Sequence, residues 1–382
     1  MKKDNRTNQP RKSTRKINIG DISIGGDAPV TVQSMTKTNT ADVAATVAQI
    51  KRLEEQGCEI IRVAVPNSEA AEAIPQIKRQ IHIPLVADIH FDHVLALKAI
   101  EGGADKIRIN PGNIGSVSRV KKILAAAKER GVCIRMGVNA GSLEADLLQK
   151  YGKICAPALV ESALRQIELC QDSGFDDLVL SLKASDVRLM IESYRMISEK
   201  TDFPLHLGVT EAGTYNVATI KSAIGIGALL NDGIGDTLRV SITGDPVNEV
   251  WTGYQILKAL GLRQFGITII SCPTCGRLQT DLFSIIRQVE EKIVMINKNM
   301  KVAIMGCTVN GPGEARDADI GIACGKNSAL LFKKGKIVRK LKEAEIVEVL
   351  LNEIRNWDEN AVENDPEDFS VPTAYDPSLL EI

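Results

Sequence analysis

The sequence predicts a TIM (β/α)8 barrel, an α/β fold, followed by a small α+β domain. Three observations carry the prediction. Eight short Val/Ile-rich runs alternate with amphipathic stretches over about 245 residues, a number and size that favour a closed barrel over an open doubly wound sheet. Several amphipathic stretches stop at a glycine, at Gly57, Gly102, Gly131, Gly174 and Gly261, as helices commonly do. From about Gln264 the alternation changes character, and 382 residues exceed what one ordinary core organises.

A hairpin is expected first, Ile17 to Ile24 around Gly25-Gly26-Asp27. The barrel strands then read Val30–Gln33, Ile60–Ala64, Leu85–Asp88, Lys106–Asn110, Cys133–Gly137, Leu178–Lys183, Leu205–Val209 and Thr237–Ser241. Helix patterns between them include Val43–Glu55, Asp92–Glu101, Val117–Arg130, Ala158–Asp172, Asp186–Ser198, Asn216–Leu230 and Pro246–Leu260. Beyond the barrel come a strand running into Cys272, a helix Leu282–Asn297, a strand into Cys307 and a strand Ala318–Ala323. A hairpin Ala329–Arg339 turning at Lys334-Gly335 and a helix Glu343–Trp357 complete the domain. The expected division is a disordered N-terminus over 1–15, the barrel over 16–262, the α+β domain over 265–357 and an acidic tail over 358–382.

Composition narrows the function classes. With 44% apolar and 25% charged residues and a net charge of −1, the chain reads as a soluble globular protein with no nucleic-acid or membrane partner. No apolar run approaches the roughly 20 residues of a membrane span, and Met1 to Lys16 is basic with no apolar stretch behind it, so a cytoplasmic location is expected. Eight cysteines in so long a chain are too few for a disulfide scaffold.

Active sites of such barrels sit at the C-terminal ends of the strands. Reading those ends yields Arg62, Asp88, Arg108, Arg135, Lys183, Glu211 and Arg239. Five cations and two carboxylates on one face demand an anion, and Arg forks suit phosphate oxygens, so a diphosphate fits better than a simple acid. Ion pairs of the cations with Asp88 and Glu211 are the plainer alternative. Asn110, Asn113 and Asn139 are turn formers, of which Asn139 is best placed to touch a ligand. His90 and His93 are expected to be cap or surface residues rather than metal ligands, and His206 a satisfied core histidine.

Cys58, Cys133, Cys155 and Cys170 read as core thiols. Cys272-Pro-Thr-Cys275, Cys307 and Cys324 all fall in the last third. Spacing leaves a zinc ribbon, a redox dithiol and an iron-sulfur cluster open.

Eight blocks closely resemble the 4-hydroxy-3-methylbut-2-enyl diphosphate synthase family, flavodoxin- or ferredoxin-dependent enzymes of the non-mevalonate (MEP) isoprenoid pathway. They begin at Val32-Gln33-Ser34-Met35-Thr36, Arg62-Val63-Ala64-Val65-Pro66, Ala87-Asp88-Ile89-His90-Phe91, Arg108-Ile109-Asn110-Pro111, Gly137-Val138-Asn139-Ala140, Gly208-Val209-Thr210-Glu211, Ser271-Cys272-Pro273-Thr274-Cys275 and Gly306-Cys307-Thr308-Val309-Asn310. The resemblance covers about residues 14 to 357 and is to the short, two-domain bacterial form, since no further domain intervenes after Leu260.

The resemblance implies a 4Fe-4S cluster held by Cys272, Cys275, Cys307 and Glu314, where spacing alone would choose Cys324 as the fourth ligand. It implies reductive ring opening of a cyclic diphosphate clamped by Arg62, Arg108, Arg135, Lys183 and Arg239 with Ser241 and Asn139. Glu211 would be the proton donor, Asp88 a second polar contact beside it, and Asn310 a contact at the cluster end of the ligand. It further implies flavodoxin or ferredoxin as electron donor and a homodimer with the cluster domain facing the other subunit's barrel. Two other classes compete: a metal-free barrel transferase of pterin-binding type with a structural zinc, and a non-catalytic iron-sulfur sensor.

Overall fold

A computed structural model, described over residues 10–293, 296, 298–307 and 318–358, divides into two compact units, Met1–Arg263 and Gln264–Ile382. In the first, the hairpin β1 (Ile17–Ile19) and β2 (Ile22–Ile24) precedes β3 (Thr31–Met35), α1 (Val43–Glu55), β4 (Ile60–Ala64), α2 (Ser68–Lys78), β5 (Leu85–Asp88), α3 (His93–Glu101) and β6 (Lys106–Ile109). There follow α4 (Pro111–Ile114), α5 (Val117–Arg130), β7 (Cys133–Asn139), α6 (Ala145–Tyr151), α7 (Ala156–Asp172), β8 (Leu178–Lys183), α8 (Val187–Ser198), β9 (His206–Leu207), α9 (Tyr215–Asn231), β10 (Thr237–Leu238) and α10 (Val247–Ala259).

Strands β3 to β10 form one parallel sheet in the order β8-β7-β6-β5-β4-β3-β10-β9. A parallel bridge between Leu180 and Leu205 joins its two ends, so the cylinder closes. Asp42, Asn67, Asp92 and Asp186 start their helices by accepting a backbone N–H in the first turn. Helix α2 carries Pro75 in its second half, where the ring forgoes one hydrogen bond to the preceding turn.

The period of two along each strand sorts side chains between two environments. Val32, Ile61, Val63, Ala87, Ile107, Ile134 and Leu180 face outward into the main core with the helices. Ile60, Val86, Cys133 and Val179, at the N-terminal ends of their strands, pack instead with Ile17, Ile19 and Ile24 of the hairpin. The hairpin is a plug. Each buried isoleucine contributes about 1.5–3 kcal/mol by leaving water.

The segment expected to be disordered up to residue 15 is attached from Pro10 onward. Arg11 pairs with the buried Asp236 at 2.7 Å and Lys12 N–H donates to Gly233 O at 3.0 Å. Arg15 bonds Asp202 at 2.8 Å and lies 4.2 Å over the Phe203 ring. Residues 1–9 and the acidic tail from 359 lie outside the described residues.

Strands β9 and β10 are shorter than expected, ending at Leu207 and Leu238. Arg239 N–H still donates to Leu207 O at 3.0 Å. At Gly208 the two segments press together: a Cβ there would lie 2.6 Å from Arg239 O and 2.9 Å from Lys183 Nζ.

The second unit runs β11 (Ile267–Ser271), α11 (Leu282–Ile293), β12 (Met300–Met305), β13 (Ile320–Gly325), β14 (Ser328–Lys333), β15 (Lys336–Lys342) and α12 (Ile346–Arg355). These strands pair in chain order, the first three parallel and the rest antiparallel. The hairpin turn falls at Lys334-Gly335 as read, both with positive φ (45° and 78°). Val289, Val302, Ile304, Ile322, Leu331, Leu350 and Ile354 form the core under α11 and α12. Strand β13 extends past Ala323, which carries Cys324 into that core.

Because the clash at Gly208 is with backbone, Gly208→Ala should destabilise the barrel by about 1–3 kcal/mol, measured as a fall in the thermal unfolding midpoint; an unchanged midpoint would show that the close approach is not needed.

Candidate active site

The inward faces of the barrel strands change from apolar at the plug to cationic at the C-terminal ends. Arg62 on β4, Arg108 on β6, Arg135 on β7 and Lys183 on β8 are buried, and Arg239, just past β10, is 13% exposed in its side chain. Asp88 at the end of β5 sits between two of them, 3.1 Å from Arg108 Nη1 and 3.7 Å from Arg62 Nε, with His90 Nε2 at 3.5 Å. Arg62 Nε also faces Met35 Sδ at 3.1 Å. Arg135 donates to Ser181 Oγ at 2.7 Å. With its amide oxygen turned toward Arg108, Asn139 accepts from Nη2 at 3.1 Å. Arg239 holds a carboxylate missed in the sequence, Glu249 on α10, through Nη2 at 2.9 Å and Nε at 3.2 Å, and donates through Nη1 to Ser241.

The charges do not balance. Among the described residues, the five ring cations face two buried carboxylates, Asp88 and Glu249, and Arg108 Nε with Arg135 Nε and Nη2 have no hydrogen-bond partner. Burial and mutual repulsion act on the cations in the same direction. Burial lowers the Arg62 guanidinium to about 10, with Asp88 opposing and Arg239 and Arg108 adding to the fall. Burial, then Arg135, Arg62, Arg239 and Arg108, hold the Lys183 ammonium well below its ordinary value. Arg135 is lowered likewise by burial, Arg62 and Arg108. Asp88 goes the other way: burial would raise its carboxyl, but Arg62, His90 and Arg108 together hold it below the usual carboxylate range.

Beneath the ring lies a polar layer that the strand ends did not announce. Lys106 is fully buried, 3.5 Å from Gln33 Oε1, and burial lowers it to about 7. Its place two residues before Arg108 on one strand was the available signal, since i and i+2 share a face. His206, expected to be a satisfied core histidine, engages Nδ1 with Thr237 Oγ1 at 3.4 Å, but Nε2 has no partner among the described residues. Burial and the cations Arg135, Lys183 and Lys106 keep its ring neutral.

Glu211 is not one of the ring's ion-pair partners. It is exposed on the loop after β9, with no side-chain hydrogen bond or ion pair among the described residues and a left-handed backbone (φ 50°) unusual for a residue with a Cβ. Glu249 supplies the second carboxylate instead. His93 stays near the start of its helix, 3.6 Å from Asp92.

In the second unit, Cys272 and Cys275 follow β11 and Cys307 follows β12. These strands are parallel neighbours with Ser271 opposite Ile304, which sets the cysteines at one end of the sheet. Cys275 is exposed, Cys272 and Cys307 are half-buried, and Gly306 N–H donates to Cys272 Sγ at 3.4 Å. Thr274 between the first two has a left-handed φ of 54°. Cys324 differs in kind: burial in the core pushes its thiol up to about 12, which disfavours the thiolate a metal needs. Among the described residues no three His, Cys, Asp or Glu side chains already form a metal site; Asn310 and Glu314 lie outside those residues.

Comparison with known proteins decides the family. Residues 14–254 match the model of the GcpE TIM-barrel domain, and residues 268–356 that of the GcpE protein C-terminal domain. The chain belongs to the GcpE family. It is 61% identical over 344 residues, 90% of this chain and 97% of the relative, to the 4-hydroxy-3-methylbut-2-en-1-yl diphosphate synthase (flavodoxin) of Caldanaerobacter subterraneus subsp. tengcongensis. It is 59% identical over 346 residues, 91% of this chain and 99% of the relative, to the protein so named from Clostridium tetani. Among solved structures, dihydropteroate synthase of Yersinia pestis aligns with 66% of this GcpE chain and 100% of its own at a TM-score of 0.47 and 13% identity, a likeness with no bearing on function. No described helix is long and apolar enough to cross a membrane.

The buried Lys106 gives stability a pH dependence whose sign is determined. Its folded value of about 7 lies below the ordinary 10.5, so between them the unfolded chain holds the extra proton and stability rises with pH. Thermal midpoints of the substrate-free protein are expected to climb across that window, and Lys106→Met to flatten the climb; an equal slope in the variant would remove Lys106 as its source.

Proposed function

We propose that the chain catalyses the two-electron reductive ring opening and dehydration of 2-C-methyl-D-erythritol 2,4-cyclodiphosphate to (E)-4-hydroxy-3-methylbut-2-enyl diphosphate, a step of isoprenoid synthesis. The observation that carries this reading, within a family whose relatives are named for that product, is the uncompensated cationic ring of the barrel. A buried excess of positive charge is costly until an anion enters. A diphosphate supplies several negative oxygens at once, and the open Nε and Nη2 of Arg135 and Nε of Arg108 are donors suited to them.

In this reading Arg62, Arg108, Arg135, Lys183 and Arg239, with Ser241 and Asn139, hold the diphosphate, and Asp88 fixes the directions of Arg62 and Arg108. Burial and then the neighbouring cations depress Lys183, and a bound anion opposes both by favouring the ammonium form. Glu211, accessible and on a strained backbone, donates the proton that lets the hydroxyl leave as water. Asn310 would contact the ligand at its cluster end.

The accessible thiols at one end of the small sheet, with a backbone N–H on Cys272 Sγ, suit an iron-sulfur group. A 4Fe-4S cluster on Cys272, Cys275, Cys307 and Glu314 would supply the two electrons, received from flavodoxin or ferredoxin. The carboxylate of Glu314, unlike a fourth thiolate, is a replaceable ligand. The functional form is a homodimer in which each cluster unit serves the barrel of the other copy. The pterin-type transferase with a structural zinc is set aside, because the curated relatives carry the diphosphate synthase name.

Anaerobic turnover of the cyclic diphosphate with reduced flavodoxin tests the reading. Arg135→Met is expected to raise KM about a hundredfold while the visible cluster absorbance stays unchanged. Glu211→Gln should instead lower kcat by about 10²–10³ with little change in KM; full activity would remove it as the donor. At substrate far below the raised KM of Arg135→Met, neither that variant nor Cys272→Ser should show appreciable turnover alone, whereas mixing their unfolded chains and refolding with cluster should restore part of the activity. Failure of the mixture, with both parents folded, would count against sites shared between copies.

A further inference from the structure

We propose that Glu249 is a positioning residue that aims Arg239 at the diphosphate. This rests on the reading of the ring as a diphosphate site.

Glu249 lies in the first turn of α10, outside the barrel wall, yet it is fully buried. Four residues from two chain segments, 34–37 and 239–242, converge on its carboxylate. Oε1 accepts from Arg239 Nη2 at 2.9 Å and from Ile242 N–H at 3.2 Å, with Lys37 Nζ at 3.5 Å. Oε2 accepts from Ser34 Oγ at 2.9 Å and from Arg239 Nε at 3.2 Å. Both oxygens are therefore occupied, and the side-on fork with Arg239 defines the plane of the guanidinium. Lys37 also donates to Ile242 O and Gly244 O, tying down the loop after β10 on which Ser241 stands.

The fork consumes the Nε and Nη2 edge of Arg239 and leaves Nη1, which points to Ser241. A long arginine has many rotamers, and the backbone bond from Arg239 N–H to Leu207 O fixes its chain but not its side chain. Glu249 removes that freedom before the ligand arrives. Its own charge opposes the diphosphate. If it acted only as a charge, deleting that charge would tighten binding. If it acts by position, the same deletion weakens binding although the site becomes more positive.

The test is equilibrium binding of 2-C-methyl-D-erythritol 2,4-cyclodiphosphate by calorimetry to anaerobically purified, cluster-loaded protein, with KM, kcat and the thermal midpoint measured beside it. Glu249→Gln is expected to weaken binding and raise KM about 10- to 100-fold while kcat changes less than about threefold. Glu249→Asp should recover part of the loss. Unchanged or tighter binding in folded Glu249→Gln overturns the proposal. Should that variant fail to fold, Ser34→Ala decides: it deletes one donor to Oε2 and is expected to weaken binding about threefold, and unchanged affinity overturns the proposal. The underlying reading fails separately, if the unaltered protein neither binds nor turns over the cyclic diphosphate.

Discussion

Repulsion among cations held inside a closed cylinder is the constraint to which the barrel mouth answers. Arg62, Arg108 and Lys183 at or near the C-terminal ends of their strands, Arg239 just past β10 and Arg135 deeper, third on β7, share one space and repel one another inside the barrel. Two carboxylates temper the repulsion without cancelling it. Asp88 does so from inside the wall, on a strand, and Glu249 from outside it, on a helix. The remainder is unspent attraction for an anion, and the protein keeps it by making the barrel rigid enough that the cations cannot turn away into water.

That rigidity comes from ordinary packing. The outward faces of the same strands are an apolar layer under the helices, so every inward cation is backed by a neighbour two environments away. Gly208 shows how close the tolerances are, since the β9 segment approaches both Arg239 and Lys183 to a distance at which a methyl group would not fit.

Much of this was legible in the sequence. Alternation of period two makes Arg62, Arg108, Arg135 and Lys183 inward once Ile61, Ile107, Ile134 and Leu182 are assigned to the helix side, and strand ends then place them at the mouth. Glu249 was hidden for a physical reason: an acid in the first turn of a helix already has a sufficient explanation in the helix dipole, and nothing local says that it reaches Arg239 ten residues earlier. The plainer alternative for Glu211, an ion pair with the ring cations, is not formed among the described residues: the side chain is exposed, on a left-handed backbone that no local pattern announces. Pro10 to Arg15 read as a polar tail because their charged partners, Asp176, Asp202 and Asp236, are more than 160 residues away. Spacing alone would group Cys324 with Cys272, Cys275 and Cys307; β13, extending beyond Ala323, carries it into the core instead.

The isoleucine plug has a kinetic meaning. Ile17, Ile19 and Ile24 pack against the N-terminal ends of the strands, so among the described residues that end of the barrel is apolar and offers a diphosphate no partner. A diphosphate product retains the group that drew the substrate in, so product and substrate compete for the same cations and exclude one another.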